Sequence, residues 1–294
     1  MELITVFTPT FNRRKLLERL YRSLLRQSCK NFIWMVIDDG SDDGTKEYIE
    51  SLIENTNEFN IEYYYKENGG LHTGYNLAIS KINTELCLCC DSDDWLSDDC
   101  IELIQEEWTK SSRENCAGII GLDSFADGKV VGRPLPVSGY FDLNDLYIHG
   151  KLVGDKKVVV RSSLYKQQPP METINGEKNF NPNYYNVAIS EKYCWLALNK
   201  TLCFVEYQES GMANNIYRQY CNSPNSFIEL RKLYLNLHGA TLIFKIRHLI
   251  HYEAECMLAG RINDILLSGQ SKIVGVLMLP FSFILYYYIK YKAK

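Results

Sequence analysis

The feature that most constrains this chain is an alternation across its first 125 residues. Short β-branched or apolar runs take turns with longer segments at helical spacing. Residues 3–7, 32–37, 61–65, 86–90 and 118–122 read as strands, and 13–27, 45–53, 71–82 and 98–108 as helices. In the first helix Leu16, Leu17, Leu20, Tyr21, Leu24 and Leu25 form one apolar stripe. A βαβαβαβαβ order specifies an α/β fold: a mainly parallel sheet flanked by helices. In open sheets of this kind ligands bind beyond the carboxyl ends of the strands. The loops at 8–14, 38–44, 66–72 and 91–94 occupy those ends and hold most of the unusual polar residues of this half.

Composition narrows the classes further. With 46% hydrophobic and 23% charged residues in 294, the chain is neither disordered nor a disulfide scaffold. A net charge of -4 supplies no global field for nucleic acid, so no nucleic-acid partner is expected. The 10 cysteines fall mostly in apolar runs, and residues 1–6 lead directly into a strand without an export-type start. Reduced thiols in the cytoplasm are expected.

Each strand-end loop has its own chemistry. Asp91, Ser92, Asp93 and Asp94 follow directly on a buried strand, and like charges this close repel unless a cation neutralises them. Hard oxygen ligands suit Mg²⁺ or Mn²⁺ on a substrate diphosphate; the alternative is a solvated turn capping the next helix. Asp38 to Gly44 carries two glycines that permit positive φ and close backbone approach, and one carboxylate there has the chemistry to accept a base N–H. The 8–13 loop stands at a helix N-terminus suited to anions.

Four ordered motifs then resemble a known family: Thr-Pro-Thr-Phe-Asn-Arg at 8–13, Ile-Asp-Asp-Gly-Ser-Asp-Asp at 37–43, Glu-Asn-Gly-Gly-Leu-His-Thr-Gly-Tyr-Asn at 67–76 and Asp-Ser-Asp-Asp at 91–94. Their order and spacing are similar to those of family 2 glycosyltransferases with the GT-A fold. The resemblance implies a nucleoside diphosphate sugar donor, most often UDP-linked, and inversion at the anomeric carbon. It implies that Thr8, Pro9, Asp38 and Asp39 hold the nucleoside and that Asn12, Asn68, Gly70 and Asn76 line the donor pocket. Thr10, Arg13, Gly40, Ser41, His72 and Ser92 lie in the same loops and join the donor-contacting set. Asp91 and Asp93 become an Asp-x-Asp pair on ribose and a divalent ion.

The resemblance thins after residue 125. Gly-Glu-Lys-Asn-Phe-Asn-Pro-Asn at 176–183 resembles a Gly-Glu-Lys-Phe-x-Pro-Glu stretch common in capsular members, with an extra residue before Phe180 and Asn183 where many relatives have Glu. The base that deprotonates the acceptor is therefore expected at Glu177, with Asp155 and Glu191 as rivals. Residues 1–125 are read as the donor-binding half, 126–213 as the acceptor and base region closed by a strand at 202–207, and 214–294 as a helical extension.

Residues 273–289 are almost wholly apolar or aromatic, flanked by Lys272, Lys290, Lys292 and Lys294. The expected arrangement is a helix lying on the inner face of the membrane, with a core helix or a true span as alternatives. Arg231, Lys232, Lys245 and Arg247 would add to that surface or be exposed helix charges. The expected acceptor is a growing polysaccharide or its polyprenyl-diphosphate-linked precursor. Two other readings are a noncatalytic nucleotide-sugar-binding partner subunit and a sugar nucleotidyltransferase. The 8–14 loop lacks the glycines a nucleotidyltransferase phosphate loop would need.

Overall fold

The computed structural model describes residues 2–111, 113–206 and 215–294. In chain order the elements are β1 (Ile4–Thr10), α1 (Arg14–Arg26), β2 (Phe32–Asp38), α2 (Thr45–Asn55), β3 (Asn60–Tyr65), α3 (Leu71–Lys81) and β4 (Leu86–Cys89). There follow β5 (Trp95–Leu96), α4 (Cys100–Ser111), β6 (Cys116–Ser124), β7 (Gly139–Phe141), α5 (Leu143–Ile148), β8 (Lys156–Arg161) and α6 (Ser162–Lys166). The remainder is α7 (Asn183–Ile189), β9 (Cys194–Phe204), α8 (Ile216–Asn222), α9 (Pro224–Leu235), α10 (Leu242–Leu258), a 3-10 segment (Ile262–Leu267) and α11 (Lys272–Lys292).

Among the described residues the strands form one nine-stranded sheet, ordered β3-β2-β1-β4-β8-β6-β9-β5 with β7 paired to β9. The pairs β3–β2, β2–β1 and β1–β4 are parallel, so the loops after these strands emerge at one edge. β8 inserts antiparallel between β4 and β6, and β5 and β7 run antiparallel to β9. The sheet is thus mixed in its second half. The strand expected at 202–207 is the end of the longer β9; residue 207, like 214, lies outside the described residues. All seven residues of β1 are buried, as a central strand covered on both faces requires. Leu17, Leu20 and Leu24 of α1 pack into the same core as Trp34 and Ile104.

Two compact units divide the chain. The sheet unit is Met1–Leu143, Lys151–Pro170 and Lys192–Glu206; the helical unit is Asn144–Gly150, Met171–Glu191 and Tyr207–Lys294. In the helical unit Ile228, Leu235, Leu249, Tyr252 and Cys256 make an apolar core between α9 and α10. Arg231, expected at a basic surface, is buried instead. Its Nε donates to Glu255 at 3.1 Å, and its Nη1 lies 3.1 Å from His248 Nδ1. Burial, with Arg231 adding, pushes His248 down to about 2 and His251 to about 3. Both imidazoles are neutral at pH 7.

Among the described residues one helix, α11, is long and apolar enough to cross a membrane by length and composition. Its buried residues, Gly275, Ser282 and Ile289, recur every seven positions and form a seam along one face. Ser282 Oγ donates to Glu253 Oε2 of α10 at 2.6 Å, and a Cβ at Gly275 would meet Glu253 Oε1 at 3.4 Å. Burial lifts the Glu253 carboxyl from 4.5 to about 7, against the pull of the Ser282 hydrogen bond. The folded state therefore holds this proton more tightly than the unfolded chain, and the stability it contributes is complete below about pH 4.5 and lost as pH rises through about 7. Relative to Glu253→Gln, the wild type should lose about 3 kcal/mol across that window, read from urea unfolding at a series of pH values.

Candidate functional site

The four strand-end loops are joined by hydrogen bonds that cross from loop to loop. Asn12 sits at φ 53°, a left-handed conformation that asparagine tolerates better than most residues. There its N–H donates to Ser41 Oγ at 2.9 Å, while its Oδ1 accepts from Asp42 N at 2.9 Å. Arg14 N donates to Asp43 Oδ2 at 2.9 Å. These bonds fasten the loop after β1 to the loop after β2.

The loop after β2 in turn shapes the one after β3. Asp38 Oδ1 accepts from Ser41 N at 2.8 Å and its Oδ2 from Tyr63 OH at 2.7 Å. Asp39 takes four donors: Lys66 Nζ, Gly69 N at 2.9 Å, Gly70 N at 2.8 Å and Asn68 Nδ2 at 3.2 Å. That fills the capacity of a carboxylate. Gly40, at φ +90°, must be glycine for a second reason, because a Cβ would stand 2.9 Å from Asn68 N. The 66–70 segment thus rests on Asp39 and leads into α3. His72 is buried there and Asn76 is half-buried.

Arg13 links the loop after β1 to the acidic loop after β4. Its Nη1 is 3.1 Å from Asp93 Oδ2 and 3.5 Å from Ser92 Oγ. Burial raises the Asp93 carboxyl above its usual value; Arg13 pulls it down and Asp91 pushes it up. Thr8 and Pro9 are buried in β1, with Thr8 Oγ1 accepting from Trp34 Nε1 at 3.1 Å. Thr10 Oγ1, at the strand end, is buried without a hydrogen-bond partner among the described residues. An orphaned hydroxyl at this edge leaves a donor and acceptor to be satisfied by a ligand or water.

Behind the acidic loop lies a buried cation that the sequence reading passed over. Lys157 Nζ of β8 is 3.7 Å from Asp94 Oδ2, 4.0 Å from Asp123 Oδ1 and 3.3 Å from the Cys89 carbonyl. Burial pushes Asp94 up to about 8 and Asp123 up to about 6, in each case against the attraction of Lys157. The available signal was a lysine pair opening a Val-Val-Val strand inside the weakly periodic stretch from 123 to 207. Asp155 stands exposed one residue before β8, beside Asp123. Trp95 serves packing: it stacks on Phe204 at 5.7 Å, with the Arg19 guanidinium 4.2 Å from its ring centroid.

The helical unit treats its two candidate bases differently. Glu177 is buried and accepts four hydrogen bonds at the start of α9, from Asn225 N at 2.9 Å and Nδ2 at 2.7 Å, and from Ser226 N at 2.9 Å and Oγ at 2.7 Å. A carboxylate on the first-turn N–H groups of a helix is well placed against its dipole. Glu177→Ala should cost about 2–3 kcal/mol in denaturant unfolding, and Glu177→Gln less because its amide oxygen still accepts. Glu191 is exposed, with its Oε1 accepting from Asn144 Nδ2 at 3.0 Å. Asn183 opens α7 and accepts from Tyr147 OH at 3.1 Å.

Among the described residues no group of three or more His, Cys, Asp or Glu is arranged to hold a metal ion. The donor set at Asp91 and Asp93 is nevertheless of the hard-oxygen kind that suits Mg²⁺ or Mn²⁺ when a diphosphate supplies further oxygens.

Residues 5–147 match the sequence model described as glycosyl transferase family 2. A GalNAc(5)-diNAcBac-PP-undecaprenol beta-1,3-glucosyltransferase of Campylobacter jejuni is 24% identical over 254 residues, covering 80% of this chain and 75% of that relative. The chain spans only 13–15% of the longer Streptococcus pneumoniae glycosyltransferase GlyA and the Pasteurella multocida chondroitin and hyaluronan synthases, at 29–30% identity. Among solved structures, residues 1–349 of S. aureus TarS in complex with UDP-GlcNAc superpose with a TM-score of 0.65 at 18% identity, covering 99% of this chain and 88% of that TarS fragment. The mannosyltransferase PcManGT of Pyrobaculum calidifontis, in complex with GDP-Man and Mn²⁺, superposes with a TM-score of 0.58 at 15% identity, covering 99% and 82%. At these identities the structures establish a shared GT-A-like fold. The strand-end motifs, the sheet that carries them and the matched sequence model agree: through residues 5–147 the chain belongs to glycosyltransferase family 2.

Proposed function

We propose that the chain transfers a sugar, with inversion, from a UDP-linked donor to a saccharide on a lipid-linked acceptor at the cytoplasmic face of the membrane, in surface polysaccharide synthesis. The observation that carries this reading is the hydrogen-bonded assembly of all four strand-end loops at one sheet edge. Residues 1–125 would take the donor, 126–213 the acceptor, and 214–294 the membrane surface. UDP-GlcNAc and GDP-Man in the structural neighbours, and an undecaprenol-linked acceptor in the name of the Campylobacter relative, support these classes.

In this reading Asp38 and Asp39 work by holding the loops around the nucleoside. Thr8, Pro9 and Gly40 shape its floor, and Thr10, Asn12, Ser41, Asn68, Gly70, His72 and Asn76 line the donor. Asp91 and Asp93, with Ser92 beside them, would hold a divalent ion that neutralises charge building on the departing diphosphate. Arg13 keeps Asp93 aimed at the same edge. The acceptor oxygen attacks the anomeric carbon from the face opposite the diphosphate, and a carboxylate removes its proton. We assign that proton to Asp155, which is exposed at the sheet edge, and assign Glu177 a positioning role because its oxygens already accept four donors.

The test is release of nucleoside diphosphate from a panel of donors in the presence of lipid-linked saccharide. Turnover by the wild type, and its loss in Asp155→Asn with donor binding intact, is the expected result; full turnover in that variant removes Asp155 from the role. One observation favours a second reading, a nucleotide-sugar-binding subunit without turnover. The 176–183 stretch has Asn183 in place of the acid of the stretch it resembles, and Glu177 is committed to α9. Donor binding with no release under any acceptor would select that reading.

A further inference from the structure

Within the helical unit a cavity of about 420 Å³ opens between α10, the 3-10 segment and α11. Met257, Ile262, Ile265, Leu279, Phe283 and Tyr286 line it. This volume falls in the range of small-molecule pockets, and the lining carries no charged group. Ile262 is 67% exposed and Phe283 50%, so the cavity is open at the surface. Around it the outer face of α11 stays bare: Phe281 and Ile284 are exposed, and from 273 to 289 the sequence holds no charged residue. A bare apolar face of this kind marks a protein or membrane contact.

Charge selects between these. Tyr286, in the cavity wall, accepts a hydrogen bond at 3.2 Å from Lys290 Nζ, whose ammonium also lies 5.2 Å from the same ring centroid. Lys292 and Lys294 follow at the same end of the helix. A hydrocarbon slot with a cation at its rim matches a molecule with an apolar tail and an anionic head. The seam of Gly275, Ser282 and Ile289 commits one face of α11 to the protein body, and Ser282 is bonded to α10. That arrangement suits a helix lying in the membrane surface rather than crossing it. We propose that this cavity takes one acyl chain of an anionic membrane phospholipid, with the phosphate against Lys290. The proposal rests on the membrane-surface reading of α11 given above and adds a specific lipid site to it.

The four tryptophans, Trp34, Trp95, Trp108 and Trp195, all belong to the sheet unit, so an indole introduced by Phe283→Trp reports on the cavity. The full chain, as wild type and Phe283→Trp, is mixed with phosphatidylcholine vesicles with or without phosphatidylglycerol, their acyl chains brominated or not. The expected result is binding that requires phosphatidylglycerol and bromine quenching of the introduced indole at least about twofold beyond the wild-type signal. Lys290→Glu should weaken vesicle binding roughly tenfold and leave transfer to a soluble acceptor unchanged. Vesicle binding without excess quenching would overturn the lipid site and leave the surface reading standing. Quenching that appears only when polyprenyl phosphate is added would overturn the phospholipid assignment. No vesicle binding, with a dimer in solution, would overturn both readings and put a second copy on the apolar face.

Discussion

Asp93→Asn is expected to lower sugar transfer about a thousandfold while changing folding stability by no more than about 1 kcal/mol. The two magnitudes differ because the side chain has two separable jobs. Its ion pair with Arg13 at 3.1 Å is partly open to solvent, and pairs of that kind contribute little to stability. Its negative charge, by contrast, would hold the divalent ion that neutralises charge on a leaving diphosphate. Removing one preorganised electrostatic partner there typically costs two to three orders of magnitude in rate. The check is kcat/KM across a Mn²⁺ titration together with a denaturant midpoint. If the amide variant turns over at the wild-type rate, Asp93 is a loop-holding residue and the divalent-ion assignment goes with it.

Arg231→Met is expected to destabilise the protein by about 3 kcal/mol or more at pH 7, the largest stability effect we assign to one side chain. Arg231 is buried, and it faces a Glu255 carboxylate with no exposed surface. Deleting the cation leaves that carboxylate to ionise without a partner or to take up a proton. Burial already pushes Glu255 up from 4.5 to about 7, with Arg231 opposing. Losing Arg231 pushes it further. The folded variant therefore holds a proton that its unfolded chain releases, and the deficit should shrink as pH falls towards 7 from the alkaline side and level off below about 7, where the wild-type Glu255 is protonated as well. Arg231→Met combined with Glu255→Leu should recover much of the loss, since exchanging a whole buried pair for apolar groups is often neutral. A deficit that does not change with pH would point to lost packing.

The sheet edge that carries the four polar loops was legible in sequence for a simple reason: short apolar runs make strand positions visible, and polar residues clustered after each run have no core to enter. The roles of individual carboxylates were less visible. Asp39 was expected to meet a nucleoside, yet its four donors all lie between residues 66 and 70. No periodicity encodes such a pairing. Glu177 looked like a free acid because its partners, Asn225 and Ser226, lie nearly fifty residues on at the first turn of another helix. β8 escaped notice because its two lysines disguise a strand that inserts antiparallel among parallel neighbours, and one of them is the buried Lys157. In α11 the seam was present as Gly275 and Ser282 interrupting an apolar run, but Glu253, the group they accommodate, is supplied by α10.

The central claim is that these loops bind a nucleoside diphosphate through Asp91 and Asp93 and a divalent ion. It is tested most directly by thermal unfolding of the intact chain with UDP, GDP or CMP, each with and without Mn²⁺. A ligand at about 100 times its dissociation constant adds roughly 2.7 kcal/mol of stability. The account predicts that UDP raises the midpoint only when Mn²⁺ is present and that Asp93→Asn abolishes the shift. A midpoint unmoved by every nucleotide, or raised equally without metal and in Asp93→Asn, would contradict it.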